Sequence, residues 1–234
     1  IPAFTYTATA AVIALLGAEP AVVDVDEDTY NISCDSLIEK INHYQRSELS
    51  NSAIIAVDLF GLPADYNTIY DIAVNFGLHL ISDAAQSFGG SIENQKVGKL
   101  SPVTTTSFYP TKPLSCYGDG GAVFTDDDEL AMKIKSIRSH GITDNPYENI
   151  RIGTNARFDA MQADIYYSRR MGRPGSMTTG DEEQWEPTAK HRRVISQASS
   201  SAASATFMLK SPVATTNPSS IKHEPIVLLT SFAC

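Results

Sequence analysis

Lys112 is the residue whose type and setting best suit chemistry. It lies five residues after Ser107, which comes near the end of an apolar, β-prone run, and a glycine-rich stretch at 118–121 follows. A lysine at the end of a strand can point into a cleft, where its amine can form a Schiff base with an aldehyde cofactor. The alternative is a surface lysine in a loop, which is the better interpretation until other residues are considered.

Two further polar residues follow predicted strands. Asp83 comes just after the apolar run 78–81 and begins the segment Asp-Ala-Ala-Gln-Ser at 83–87. In open α/β sheets, ligands bind beyond the carboxyl ends of the strands, and both Asp83 and Ser107 are expected there. Taken alone, Asp83 could instead be an ordinary turn or helix-capping aspartate.

Strands and helices alternate along the first two thirds of the chain. Apolar, β-branched runs predict strands at 21–25, Ala53–Val57, 78–81, 103–108 and 122–124. Helices are predicted at 7–17 (buried, and closed by Gly17), after a capping Asp35, after Asp65, and at 126–139. This order predicts an α/β fold with a mostly parallel sheet flanked by helices.

Composition narrows the classes of function. The chain has 234 residues, 42% of them hydrophobic and 19% charged, with a net charge of −9. That charge argues against a nucleic-acid partner. No apolar run approaches the roughly 20 residues that span a bilayer, and no signal peptide is visible. The odd, widely spaced cysteines (Cys34, Cys116 and Cys234) suit a reducing compartment and form no metal-ligand spacing, so a cytoplasmic protein without a metal is expected.

The chain changes character near Met171. Residues 171–234 are rich in Ser and Thr, contain a low-complexity run at 199–204, and show no helical periodicity. Only 226–229 could form a strand. The predicted division is a large domain at 1–167 and an aberrant or disordered tail at 168–234, with loss of the coding frame near 167–171 preferred over a natural disordered tail.

Several ordered motifs resemble one enzyme family. They are Phe-Thr-Tyr-Thr-Ala-Thr at 4–9, Asp-Ala-Ala-Gln-Ser at 83–87, Ser-Phe-Tyr-Pro-Thr-Lys at 107–112, Gly-Asp-Gly-Gly-Ala-Val-Phe-Thr at 118–125, Arg-Ser-His-Gly at 138–141 and Gly-Thr-Asn-Ala-Arg at 153–157. Together they resemble the DegT/StrS family of pyridoxal-phosphate (PLP) sugar aminotransferases, which have the fold-type I architecture. The run after Lys112 is similar to enzymes of the UDP-2-acetamido-3-amino-glucuronate type.

The resemblance implies a role for each matched residue. Lys112 would hold PLP covalently and move protons during catalysis, while Asp83 would pair with the pyridine nitrogen and keep it protonated. Gln86 would donate to the phenolic oxygen, Ser107 would bind the phosphate, and Tyr6 would stack on the pyridine face. The alternatives are a loop amide for Gln86, a strand-end serine bonded to backbone for Ser107, and a core or interface tyrosine for Tyr6.

Two residues are expected to act across a dimer. By the same resemblance, Asn155 and Arg157 would reach the active site of the other subunit of a homodimer, Asn155 at the phosphate and Arg157 at acidic groups of the sugar nucleotide. A surface salt bridge is an equally good interpretation of Arg157. His140 is set aside as a cap or packed residue, and 118–121 as a tight turn between strands.

The sequence also departs from the family pattern. An N-terminal segment with a phosphate-binding Gly-Thr pair and a C-terminal small domain are not found, so the chain is expected to be a fragment truncated at both ends and inactive by itself. The whole enzyme is expected to transfer an amino group to a nucleotide-linked keto sugar, with L-glutamate as the expected donor. The rivals are a PLP-dependent sugar dehydratase, in which histidine typically replaces the lysine, and a non-catalytic binding or regulatory protein.

Overall fold

The computed structural model describes residues 1–45, 52–170 and 196–198. Its five α-helices there are α1 (Thr7–Leu15), α2 (Cys34–Gln45), α3 (Tyr66–Phe76), α4 (Asp128–Arg138) and α5 (Ala160–Arg170). Its strands are β1 (Ala53–Val57), β2 (His79–Asp83), β3 (Ser91–Ile92), β4 (Gln95–Lys96), β5 (Val103–Ser107), β6 (Gly121–Thr125) and β7 (Ser196–Ala198).

Five of these strands form one sheet in the order β1-β2-β5-β6-β7, and β3 pairs with β4 in a small hairpin. The β1–β2 and β2–β5 pairings are parallel, whereas β5–β6 and β6–β7 are antiparallel. The α/β class is confirmed. The antiparallel part arises because no helix connects β5 to β6, and antiparallel neighbours need no crossover.

Helices cover both faces of β1 and β2. Ile54 and Ala56 pack with Ile69 of α3 and Ile41 of α2 in one core cluster. Ile55, between them in sequence, joins Val12 of α1 and Ile81 in a second cluster. Successive side chains of a strand point to opposite faces, so these apolar strands are buried on both sides, as their lack of polar alternation predicted.

Four local predictions need correction. Residues 21–25 form no strand, and only isolated bridges join Val23 to Pro2 and Val25 to Ile32. Ser33, not Asp35, accepts from the first turn of α2, through the Ser36 N–H at 3.3 Å.

The other two corrections concern burial and a turn. Helix α1 buries only Thr9 and Val12, and Leu15 is 60% exposed. Residues 118–121 are not a tight turn between strands, because 118–120 end a long loop, 108–120, that joins β5 to β6, and Gly121 is the first residue of β6.

The remaining element boundaries match their sequence signals in part. The Asp65 side chain accepts from the Thr68 N–H at the start of α3, as predicted. Strand β7 lies in the stretch where no strand was expected before 226, and α5 continues past residue 167 to Arg170. The predicted strand at 226–229 falls outside the described residues. Of the described helices, none has the length and apolar character required to cross a membrane.

Candidate active site

Asp83 is the last residue of β2 and its side chain is 4% exposed. One carboxylate oxygen, Oδ1, accepts from the Ala85 N–H at 3.1 Å. Burial is the main cause that raises the pKa of Asp83 to about 7, and the nearby Asp58 carboxylate also raises it. The hydrogen bond from the Ala85 N–H and the Lys112 ammonium lower this pKa. The Lys112 ammonium is thus one of the charges that act on the Asp83 carboxylate.

The loop 108–120 carries Lys112 between β5 and β6. Lys112 is half-buried, and its N–H donates to the Tyr109 carbonyl at 2.9 Å. Buried Cys116 anchors the loop by donating its N–H to the Phe108 carbonyl at 2.8 Å. The loop thus has a fixed path around the lysine.

Helix α5 holds the same loop from outside. Arg169 donates to Ser115 Oγ at 2.6 Å, and the Tyr117 N–H donates to Gln162 Oε1 at 2.8 Å. Arg169 lies beyond residue 167, in the stretch predicted as a tail, and it contacts the loop that carries Lys112.

Gln86 lies on the turn that follows β2. Its Oε1 accepts from the Phe60 N–H at 2.8 Å. With the oxygen used in this way, the amide group of Gln86 is oriented so that its NH₂ is the end available to donate. That is the polarity required of a donor to a phenolic oxygen.

Ser107 and Tyr6 have contrasting environments. Ser107 is 1% exposed at the end of β5, and its Oγ accepts from the Tyr109 N–H at 3.2 Å. This is the backbone contact of the alternative interpretation, although a hydroxyl that accepts can also donate. Tyr6 precedes α1 as its N-cap residue and is 46% exposed.

Asn155 and Arg157 lie on a different element, the segment that returns along the end of α4. Asn155 forms a bridge with Ser139, and Arg157 Nε donates to Asn155 Oδ1 at 3.0 Å. Both side chains are exposed. Burial lowers the pKa of Arg138, and nearby Arg157 lowers it further, so two guanidinium groups stand close together at this surface.

Known proteins resemble the chain in sequence and in fold. Residues 1–187 match the DegT/DnrJ/EryC1/StrS aminotransferase family. The chain belongs to this family. Over 164 residues it is 49% identical to the UDP-2-acetamido-2-deoxy-3-oxo-D-glucuronate aminotransferase of Pseudomonas aeruginosa, an overlap of 70% of this chain and 44% of that protein.

Solved structures of similar proteins have the same fold as this chain. A DegT DnrJ EryC1 StrS aminotransferase from Brucella abortus superposes with a TM-score of 0.70 and 50% identity, covering 71% of this chain and 45% of that one. NtdA from Bacillus subtilis, with bound cofactor PMP, superposes with a TM-score of 0.63 and 32% identity, covering 71% and 36%. The resemblance and the fold-type prediction are confirmed, and the chain spans less than half the length of each of these proteins.

Sequence reasoning missed two groups beside the site. Phe4, Tyr30 and Phe60 form an exposed aromatic cluster, with ring centroids 5.8 to 6.2 Å apart. Tyr30 and Phe60 both have a positive φ, of 60° and 55°, which is uncommon for bulky residues. The second group surrounds Asp58. This acid directly follows β1, much as Asp83 ends β2, so the rule that singled out Asp83 at the end of a strand could also have singled out Asp58.

Proposed function

We propose that the protein containing this chain is a PLP-dependent aminotransferase that moves an amino group from an amino acid to a keto group of a nucleotide-linked sugar. The carrying observation is the buried Asp83 carboxylate, whose pKa the Lys112 ammonium lowers, in a chain of which residues 1–187 match the DegT/DnrJ/EryC1/StrS aminotransferase family. Support for the substrate comes from the sugar-nucleotide aminotransferase to which the chain is 49% identical.

The residues fit the cofactor chemically. Asp83 is 4% exposed, and burial opposes the ionisation of its carboxyl group. A cationic partner would stabilise the ionised form, and a protonated pyridine nitrogen is such a partner. When bound, PLP supplies an electron sink for cleavage of a C–H bond. Binding of the related cofactor PMP by the similar protein NtdA supports the same assignment here.

Each residue has a defined task in this proposal. Asp83 keeps a proton on the ring nitrogen, Gln86 donates to the phenolic oxygen, and Ser107 binds the phosphate. Lys112 holds the cofactor and then moves a proton as acid and base. Tyr6 stacks on the ring.

Two exposed residues complete the site from a second copy of the chain. Asn155 contacts the phosphate and Arg157 contacts acidic groups of the sugar nucleotide, for which a planar fork of donors is suited. The proximity of Arg138 and Arg157 supports an anionic ligand at this surface. L-Glutamate is the proposed donor, and the cytoplasm remains the predicted location.

Covalent uptake of PLP tests the function. Purified chain mixed with PLP should develop the visible absorbance of a lysine-bound cofactor, and Lys112→Ala should abolish it. Lys135→Ala is the matched control, because Lys135 is exposed on α4 and should leave the absorbance unchanged. Equal absorbance in the wild type and Lys112→Ala would refute the assignment and favour a non-catalytic binding protein.

Dilution tests the contribution of the second copy. If Asn155 acts across a dimer, the PLP affinity of the wild type should fall as the protein is diluted from dimer to monomer. Asn155→Ala should bind PLP weakly throughout. The opposite result would be a wild-type PLP affinity that stays constant while the dimer dissociates, together with weak PLP binding by Asn155→Ala. It would mean that Asn155 acts in the site of its own subunit.

A further inference from the structure

Asp58 is a second buried carboxylate next to Asp83. It directly follows β1, its side chain is 0% exposed, and its N–H donates to the Asp83 carbonyl at 3.0 Å. Burying a carboxylate costs free energy of folding unless hydrogen-bond donors compensate it. The donors that contact Asp58 therefore indicate its role.

Donors from two directions reach this carboxylate. Oδ1 accepts from the Ala64 N–H at 3.1 Å, just before α3, and from the hydroxyl of Tyr66, the first residue of α3. Oδ2 accepts from the Ser87 hydroxyl. Hydrogen bonds to an ionised acceptor are stronger than neutral ones, and here they connect the end of β1, the start of α3 and the turn after β2.

Ser87 is the last residue of the Asp-Ala-Ala-Gln-Ser turn. The near end of that turn is fixed on β5, because the Ala84 N–H donates to the Thr105 carbonyl at 2.8 Å and Thr106 Oγ1 donates to the Ala84 carbonyl at 3.0 Å. The far end is fixed by the bond from Ser87 to Asp58. Asp83 and Gln86 lie on this turn.

We propose that Asp58 is a positioning residue: through Ser87 and the Asp83 carbonyl, it fixes the turn that presents Asp83 and Gln86 to the cofactor. Asp58 need not touch the cofactor to do this. The inference rests on the proposed function for its purpose, but the immobilisation of the turn can be measured without any cofactor.

The decisive comparison uses two variants that each remove one donor to the same carboxylate. Ser87→Ala removes the donor on the turn, and Tyr66→Phe removes a donor on α3 together with the contact of the Tyr66 hydroxyl with Ser82 Oγ inside β2, at 2.6 Å. Amide hydrogen exchange at Ala85 reports the position of the Asp83 carboxylate directly, because the Ala85 N–H donates to Asp83 Oδ1. Exchange is measured by NMR on the full chain, and PLP dissociation constants are measured alongside.

Ser87→Ala should speed Ala85 exchange about tenfold or more beyond its effect on global opening, and weaken PLP binding by a similar factor. Tyr66→Phe should lower global stability while leaving the local exchange of Ala85 and the PLP dissociation constant near wild-type values. Asp58→Asn, which keeps the shape of the side chain, should reproduce the effect of Ser87→Ala.

Equal effects of Ser87→Ala and Tyr66→Phe on Ala85, once corrected for stability, would show that Asp58 only stabilises the core and would overturn the inference. If wild-type protein takes up no PLP at Lys112 but the exchange pattern appears, the proposed function fails and the positioning of the turn stands. If PLP binds and Ala85 exchange is unchanged in Ser87→Ala, the positioning fails and the function stands.

Discussion

Removing the Asp83 carboxylate should change how stability depends on pH. Burial raises the pKa of Asp83 from 3.8 to about 7 in the cofactor-free protein. We therefore expect Asp83→Asn to become progressively more stable, relative to the wild type, as the pH rises. The effect arises because the amide occupies the same buried site without ever ionising.

The sign and size follow from proton binding. Below about pH 4 the carboxyl group is protonated in the folded and unfolded chains, so it adds no pH-dependent difference. Between about pH 4 and about pH 7 the unfolded chain loses the proton while the folded chain retains it, which favours unfolding. A pKa rise from 3.8 to about 7 corresponds to a loss of about 4 kcal/mol in the free energy of unfolding.

Urea denaturation of both proteins between about pH 4 and about pH 8 measures this difference. The advantage of Asp83→Asn should grow by about 4 kcal/mol across the range and level off above about pH 7. Other ionisable groups titrate alike in both proteins, so their contributions largely cancel in the difference between the two free energies of unfolding. Thr104→Val is the control, because it alters a buried strand residue without removing an ionisable group, and its effect should not vary with pH.

A difference between wild type and Asp83→Asn that stays constant within about 1 kcal/mol would refute the reasoning. It would mean that Asp83 is solvated or paired well enough to ionise near its ordinary pKa. If the stability advantage of Asp83→Asn instead fell as the pH rises, the pKa of Asp83 would be lowered in the folded protein. A strong cation would then lie against the carboxylate.

Three further substitutions test the packing around the site, each by urea denaturation. Thr104→Val should raise the free energy of unfolding by about 1 kcal/mol, because the fully buried Thr104 hydroxyl has no hydrogen-bond partner in the described structure; a loss of stability would reveal a missing partner. Gly141→Ala should cost several times more than Gly17→Ala, which should cost about 1 kcal/mol. Both glycines have positive φ, but a Cβ at Gly141 would lie 1.7 Å from the Arg151 carbonyl oxygen, whereas Gly17 faces open space; equal costs would contradict that packing. Asp127→Ala should cost about 1 kcal/mol because its side chain accepts from two N–H groups at the start of α4, and an unchanged midpoint would argue against the cap.

Local signals in the sequence predicted local structure well. Asp65 was found as a helix start because its side chain bonds to the Thr68 N–H only three residues away. At α2, two polar residues, Ser33 and Asp35, compete within three positions, and the sequence alone favoured the wrong one. The run 21–25 has the composition of a strand, but strand formation requires a neighbour, and only single bridges are available to it.

Motif positions and strand ends predicted where the candidate site lies. The rule that ligands bind at the carboxyl ends of strands placed Asp83 and Ser107 at one edge of the sheet, and in the structure they are the last residues of β2 and β5. The contacts around Asp58 join residues up to 29 apart in sequence, and the aromatic cluster joins Phe4 to Phe60. No local pattern encodes such pairings, because they depend on which strands become neighbours in the sheet.

The central claim is that Lys112 and Asp83 lie on either side of a single PLP molecule. Its most direct test is reduction of the PLP-loaded chain with borohydride, followed by peptide mapping by mass spectrometry. The label is expected on Lys112, and it should be lost in Lys112→Ala without moving to another lysine. A label spread over exposed lysines such as Lys135, and unchanged in amount in Lys112→Ala, would contradict it.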